Sequence, residues 1–133
     1  MDTNTQSPND RTLLFVYGTL KRGDVRAPLL DGQQFIGEAR TAPRFRLYNT
    51  GDYPALIEAQ RTRLVGRSIV GELWAVDETC LARLDVEEGV EEGLYERTAI
   101  DLMGEQTPAD TYLYRHSVEG FTDCGECWAS VPR

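Results

Sequence analysis

The sequence predicts an α+β fold in which a small, closed or partly closed sheet is accompanied by a few short helices. Short apolar or alternating segments recur along the chain, and Gly, Pro, Asn and Asp residues separate them. Only the segment after Asp77 combines a capping residue with the apolar spacing of a longer helix. Because no internal repeat or low-complexity linker divides residues 12–128, the 133-residue chain fits one domain with a single core.

The first half of the chain contains four predicted strands and one short helix. Leu13–Val16 is apolar throughout, which is typical of a short buried strand, and the strand leads into a turn at Gly18. Pro54 follows Tyr53 at the start of another strand, and a proline there suits an edge strand because it has no N–H to donate. In chain order, the other segments are a short helix at 26–30, strands at 34–39 and 44–48, and a turn at 49–52.

The second half contains the longest predicted helix and three predicted strands. Ser68–Val76 carries mostly apolar residues on both of its alternating sides, which indicates a strand buried on both faces. Asp77 is a natural N-cap for a helix that continues to about Glu87, and Gly89 supplies a left-handed stop. Two further alternating strands are predicted at 95–103 and 109–114, around a turn at 104–108.

The charge composition argues against nucleic acid as a partner. The chain has 14 basic and 22 acidic residues, and its net charge of -8 repels phosphate backbones. No stretch approaches the roughly 20 apolar residues of a membrane span, so we expect no membrane partner. Residues 1–11 lack periodicity and are expected to form a mobile tail. Because this tail is polar and acidic, unlike a secretory signal, we expect a cytoplasmic protein. No feature of the sequence indicates an oligomeric state.

The three cysteines do not predict a disulfide framework or a metal site. Cys124 and Cys127 have the two-residue gap of zinc knuckles and redox pairs. A zinc site needs about four ligands, however, and Cys80 and His116 do not form a matching second pair. A redox role also lacks support, because no strand is predicted before the pair and no long helix after it. We therefore predict that no metal is bound.

The turn after the first strand has residues that suit anion binding. Gly18 leaves the backbone without a side chain that would block a ligand, and a turn of this kind can aim several N–H groups into one concavity. Such a concavity suits a carboxylate or a developing oxyanion. An ordinary turn at the end of a strand is the alternative, and spacing alone does not decide between the two.

Motifs that lie far apart in the chain together resemble a known family. Tyr-Gly-Thr-Leu at 17–20, Leu-Asp-x-x-Glu-Gly at 84–89 and Tyr-x-Arg at 95–97 are similar to motifs of the gamma-glutamylcyclotransferase-like superfamily. The likeness is greatest to its small single-domain branch of AIG2-like and gamma-glutamylamine cyclotransferase proteins. It covers about residues 12–128. It implies a single domain over 12–133, built as a mixed β-barrel of five to seven strands with a cavity at one end.

The resemblance implies an enzyme whose substrate is a small gamma-glutamyl amine or peptide. In such enzymes the α-amine of the glutamyl unit attacks its own γ-carbonyl, which releases an amine and leaves 5-oxoproline. The acid/base carboxylate of the family matches Glu88, and the reaction requires no metal, nucleotide or other cofactor. Glu87 is the rival candidate, because a one-residue shift of the motif would exchange the two residues.

The local sequence predicts a raised pKa for Glu88. If Gly89 ends the helix, Glu88 lies at the negative pole of that helix. The carboxylates of Glu87, Glu91 and Glu92 lie close by in sequence, and both effects disfavour the charged form. A carboxyl group with a pKa raised toward neutral can take up a proton and later return it.

The same resemblance assigns the turn as the substrate-binding loop, whose backbone amides hold the glutamyl portion. Tyr17 is expected to face the cavity, with simple packing at the strand end as the alternative. Arg97 either steers the substrate carboxylate or forms a salt bridge with the nearby acidic stretch, and we favour the salt bridge. The predicted binding residues are Tyr17, Gly18, Thr19 and Leu20, and the further candidates for the pocket wall are Tyr53, Tyr114 and Arg97.

Other functions are compatible with the same fold. One is a non-catalytic module that keeps the pocket and serves in small-molecule binding or protein interaction. Another is a lyase or hydrolase that acts on a different amide. The acidic pair Glu91 and Glu92 favours a positively charged leaving amine, or else belongs to an ordinary solvated loop.

Overall fold

The computed structural model describes residues 11–128, which form eight strands, one α-helix and two short 3-10 helices. The strands are β1 Thr12–Val16, β2 Gln34–Arg40, β3 Phe45–Asn49, β4 Pro54–Glu58, β5 Val70–Val76, β6 Tyr95–Ile100, β7 Ala109–Tyr114 and β8 Thr122–Gly125. The α-helix, α1, spans Glu78–Glu87, and the 3-10 helices span Ala27–Leu30 and Ala59–Arg61. Residues 1–10 of the predicted N-terminal tail lie outside the described residues.

The larger sheet has five strands in the order β2-β5-β1-β7-β6. Its central strand β1 pairs antiparallel with β5 and parallel with β7, so the sheet is mixed. Successive side chains of β1 enter two different apolar clusters, with Leu14 and Val16 in one and Phe15 in the other. Both faces of β1 are buried because the strand is a continuous apolar run. The end of this run also marks the position at which β1 ends.

The smaller sheet has three antiparallel strands in the order β4-β3-β8. β4 lies at its edge, as predicted from Pro54, and the residues of β4 are buried except for Glu58. β8 was not predicted, because the polar segment Thr122–Gly125 has no alternating apolar residues. The seven strands that were predicted are all present with shifts of a few residues at their ends.

The two sheets do not close into a barrel, so the predicted barrel of five to seven strands is wrong. The chain leaves β2 at Thr41, which forms an isolated bridge with Leu102 beyond β6. A second isolated bridge joins Phe45 of β3 to Arg67. Closing a barrel requires a continuous ladder of paired strands, and isolated bridges do not supply one. The α+β class itself is confirmed.

The helix α1 begins and ends as its sequence predicts. The Asp77 side chain accepts a hydrogen bond of 2.8 Å from the Cys80 N–H, as an N-cap should. Leu81 and Leu84 are buried on one side, and Gly89 has a positive φ of 66° just after the helix. Among residues 11–128, no helix has both the length and the apolar character needed to cross a membrane.

Candidate active site

A cavity lies at the end of β1, between the turn that follows this strand and the C-terminal end of α1. It encloses about 340 Å³ of space, its open mouth included. The residues that line it are Phe15, Val16, Tyr17, Gly18, Thr19, Leu20, Arg26, Tyr53, Pro54, Glu88, Tyr95 and Tyr112. The structure thus brings the whole Tyr17–Leu20 turn and Glu88 to one cavity.

The turn is closed by its own backbone and packed tightly against β4. The Lys21 N–H donates to the Gly18 carbonyl at 3.0 Å, and the Arg26 N–H donates to the Thr19 carbonyl at 2.8 Å. A Cβ atom at position 18 would lie only 2.1 Å from Cγ of Pro54. Gly18 is therefore required by the close approach of Pro54, whereas the sequence alone indicates the approach of a ligand.

The neighbours Glu87 and Glu88 have opposite environments. The side chain of Glu88 is 9% exposed and lines the cavity, whereas that of Glu87 is 48% exposed. Glu88 is the C-cap of α1, and its N–H donates to the Leu84 carbonyl at 2.8 Å. The end of the helix therefore presents Glu88, and not its neighbour, to the cavity.

The charge state of Glu88 is set by burial and by Arg26. Nη2 of Arg26 lies 2.8 Å from Oε2 of Glu88 and forms an ion pair with it. Burial raises the pKa of Glu88 above its ordinary value, Arg26 lowers it, and Glu87 raises it further. The net direction is upward, as the sequence predicted, but the largest cause is loss of water and not the neighbouring carboxylates. A carboxyl group of this kind can exchange a proton with a bound molecule.

Three tyrosines form a fixed wall around the cavity. The Tyr17 hydroxyl donates to the Tyr112 carbonyl at 2.6 Å, and the Tyr95 hydroxyl donates to the Pro54 carbonyl. The Tyr112 hydroxyl donates to Oδ1 of Asp85 at 2.7 Å. Burial is the largest of the causes that raise the pKa of each of these phenols, so they are neutral and hold the wall in place.

The two further tyrosines predicted for the wall occupy different positions. Tyr53 is half-buried and lines the cavity, where its ring lies 6.1 Å from that of Tyr95. Tyr114 is not among the lining residues, but its ring contacts those of Tyr53 and Tyr95, at 6.4 and 5.4 Å between centroids. Tyr114 therefore packs against two of the lining tyrosines without lining the cavity itself.

Arg97 lies outside the cavity in an ion-pair network. Its Nε donates to Oδ1 of Asp85 at 2.9 Å, and its Nη1 donates to Oδ2 of Asp110 at 2.7 Å. Burial opposes the charged form of this guanidinium, but the two carboxylates outweigh that effect, so its pKa is raised. This is the salt bridge that the sequence analysis favoured over a role in steering the substrate.

Several lining residues were missed by the sequence analysis. Arg26 lies in a predicted short helix, and no sequence spacing links it to Glu88. Tyr95 belongs to a motif and Tyr112 to a predicted strand, and a tyrosine on an alternating strand is a recognisable candidate for a pocket wall. Pro54 was explained as the start of an edge strand, which it is.

The C-terminal segment contacts Lys21, the residue that follows the turn. Nζ of Lys21 donates to the carbonyl of the buried Trp128 at 2.8 Å and lies 4.0 Å from Sγ of Cys127. Cys124 belongs to β8, which corrects the expectation that no strand is present there. In the part of the chain that the structure describes, no three His, Cys, Asp or Glu side chains are grouped as metal ligands.

The fold and the site together define an α+β protein with a cavity that is lined by a buried carboxyl group and a glycine-containing turn. A family model described as gamma-glutamyl cyclotransferase, AIG2-like matches residues 14–129. The chain therefore belongs to this family.

Individual relatives agree with this assignment. A putative gamma-glutamylcyclotransferase of Vibrio cholerae is 36% identical over 119 residues, which cover 86% of this chain and 93% of the relative. The human gamma-glutamylaminecyclotransferase is 36% identical over 135 residues, covering 90% of this chain and 85% of the relative. The crystal structure of an AIG2-like protein from Mus musculus has a TM-score of 0.76 at 28% identity, with 92% of this chain and 90% of that chain covered.

Proposed function

We propose that the protein is a cyclotransferase that converts a gamma-glutamyl amine or peptide into 5-oxoproline and a free amine, with Glu88 as the general acid/base. The observation that carries this proposal is the placement of a buried carboxyl group and the Tyr17–Leu20 turn in one cavity. Membership of a gamma-glutamylcyclotransferase family, and relatives named for this activity, support the choice of substrate class.

In the proposed reaction, Glu88 takes a proton from the α-ammonium group of the substrate. The freed nitrogen attacks the γ-carbonyl carbon, and a C–N bond forms while the carbonyl electrons move to oxygen. The N–H groups of the Gly18–Leu20 backbone stabilise the resulting oxyanion. When the carbonyl re-forms, the bond to the leaving amine breaks and Glu88 returns its proton to that amine. The ring nitrogen gives up its second proton in the same step, so that 5-oxoproline keeps a neutral N–H and the amine departs as an ammonium ion.

The reaction joins two groups of the same molecule, which explains why so small a site is sufficient. The protein has to hold the α-nitrogen close to the γ-carbon and to move protons from that nitrogen to the leaving amine. The neutral, hydrogen-bonded tyrosines suit this task because they provide a rigid wall without adding charge. In this mechanism, the step requires no cofactor.

The purified protein should form 5-oxoproline from at least one member of a panel of gamma-glutamyl amines and peptides, with product followed by mass spectrometry. Release of glutamate in place of 5-oxoproline would contradict cyclisation and indicate hydrolysis. Tight binding without any product would instead favour the non-catalytic binding module. A gamma-glutamyl compound in which the α-amine is acetylated serves as a control, because the nucleophile is then blocked.

A further inference from the structure

Arg26 is a charged residue of the cavity that the proposed mechanism does not use. Among the described residues that line the cavity, Arg26 and Glu88 carry the formal charges. Nη2 of Arg26 is buried and makes ionic contacts of 2.8 Å to Oε2 of Glu88 and 3.8 Å to Oε1 of Glu87, but neither contact has the geometry of a hydrogen bond. The N–H groups of this nitrogen are therefore paired by charge but poorly aligned, and they can donate to the oxygens of an incoming anion.

We propose that Arg26 binds the α-carboxylate of the substrate while Glu88 faces the α-ammonium group. This inference rests on the proposed function, because it assumes a gamma-glutamyl substrate. Such a substrate carries both groups on one carbon atom, so it presents two opposite charges side by side. The Arg26–Glu88 pair presents the complementary charges at a separation of 2.8 Å.

The exchange of partners keeps the charges of the cavity balanced. Before binding, Arg26 and Glu88 neutralise each other. After binding, each is paired with one end of a zwitterion whose net charge is zero. No charge is then left buried without a partner, which would be strongly unfavourable.

Both side chains are attached to fixed backbone, so only the side chains need to move. The Arg26 N–H is held by the Thr19 carbonyl, and the Glu88 N–H by the Leu84 carbonyl, both at 2.8 Å. The Arg26 side chain is 28% exposed and therefore reaches the mouth of the cavity. Its planar guanidinium can bind both oxygens of a carboxylate at once, which a single N–H group cannot do.

This assignment also gives Arg26 and the backbone of the turn separate roles in the site. With Arg26 on the α-carboxylate, the N–H groups of the Gly18–Leu20 turn are left for the γ-carbonyl oxygen, on which the negative charge develops. Arg26 would thus be a specificity-determining residue that recognises the free α-carboxylate.

The test measures binding of 5-oxoproline and of its carboxamide, 5-oxoprolinamide, by titration calorimetry. The two ligands differ only in the charged carboxylate, and neither is turned over. The wild-type protein should bind the carboxylate roughly 10- to 100-fold more tightly, and Arg26→Gln should lose most of this preference. Arg22→Gln is the matched control, because Arg22 lies in the same loop but pairs with Glu72 outside the cavity. It should keep the wild-type ratio.

Equal affinity of the wild-type protein for the two ligands, no detectable binding of 5-oxoproline, or an unchanged ratio in Arg26→Gln would overturn the inference. If Arg26→Gln does not fold, as judged by circular dichroism, Arg26→Lys replaces it and should show a reduced ratio because the two-pronged contact is lost.

The two proposals fail in different ways. If the ligand preference depends on Arg26 but no gamma-glutamyl compound yields 5-oxoproline, the cyclotransferase proposal fails and the role of Arg26 as a carboxylate-binding residue stands. If 5-oxoproline is formed and the preference does not depend on Arg26, the cyclotransferase proposal stands and the proposed role of Arg26 fails.

Discussion

At the residue scale, the decisive contrast is between Glu88 and Glu87. Glu88→Gln keeps the size of the side chain but removes its ability to exchange a proton, so turnover should fall by about 10²- to 10⁴-fold. Glu87→Gln is the matched control and should change turnover far less, because Glu87 is half exposed, does not line the cavity and lies 3.8 Å from Nη2 of Arg26, against 2.8 Å for Glu88. The measurement is kcat on a substrate that the wild type accepts. Full turnover by Glu88→Gln would end the proposed proton-transfer mechanism.

The pH dependence of the reaction should report the environment of Glu88. Glu88 must be ionised to take a proton, so kcat/KM should rise with pH through its pKa. Because burial raises this pKa in spite of Arg26, the midpoint should lie above the ordinary value of 4.5. The same shift stabilises the folded protein at low pH, and this contribution is lost as the pH rises through the folded-state pKa. A midpoint at or below 4.5 in the kcat/KM profile would contradict this expectation.

Gly18 should tolerate no side chain. In Gly18→Ala the new Cβ would lie 2.1 Å from Cγ of Pro54, and the shift needed to relieve this overlap would move the turn. We expect a loss of about 1–3 kcal/mol in the free energy of unfolding, measured by urea denaturation, together with reduced activity. Gly37→Ala is the control, because a Cβ there meets no atom within 4 Å. Equal stability of the two variants would show that the turn yields more easily than its packing indicates.

At the element scale, Arg97 joins α1 to the edge of the larger sheet. It contacts Asp85 on α1 and Asp110 on β7 from its own position on β6. Arg97→Met should lower the free energy of unfolding by about 1–3 kcal/mol, because two half-buried carboxylates lose their cation and Asp85 keeps only the hydrogen bond from the Tyr112 hydroxyl that is described above. The control Arg115→Met removes a more exposed pair with Glu96 and should cost less than about 1 kcal/mol.

This experiment also separates the two roles considered for Arg97. A structural residue should lower the midpoint of urea denaturation while leaving KM nearly unchanged at temperatures where the variant is folded. A large rise in KM without a loss of stability would instead assign Arg97 to substrate binding.

Elements that are specified locally were predictable, and those that depend on distant partners were not. α1 was predicted with both of its ends because Asp77, Leu84 and Gly89 act within a few residues of one another. β8 was missed because its residues are polar and it exists only through pairing with β3, more than seventy positions earlier in the chain. The ion pair between Arg26 and Glu88 has no local signal for the same reason.

At the scale of the whole molecule, the sequence does not specify how the strands are arranged into sheets. The alternating patterns identified seven strands but did not indicate which edges would meet. The larger sheet therefore ends at β2 and β6, and the strands of the smaller sheet pair apart from it while sharing its apolar clusters. By contrast, the shared cavity of the Tyr17–Leu20 turn and Glu88 was anticipated, because two motifs of one family were recognised together.

The whole protein should fold without metal. Replacing both Cys124 and Cys127 by Ser should leave the melting temperature and the activity nearly unchanged, since the two thiols lack further ligands for zinc in the described residues. Metal analysis after purification in metal-free buffer should find no stoichiometric zinc. Unfolding of the wild-type protein on addition of a chelator would contradict this prediction.

The isolated bridge between Thr41 and Leu102 has a consequence for how copies of the protein behave in solution. The edges of a sheet offer unpaired N–H and C=O groups to which a strand of another molecule can add. Here the segments that follow the two edge strands bond to each other: the Ala42 N–H donates to the Asp101 carbonyl at 2.9 Å, and the Met103 N–H to the Arg40 carbonyl at 2.8 Å. At this end of the larger sheet, these backbone groups are already paired within the molecule and are not open to a strand of another copy.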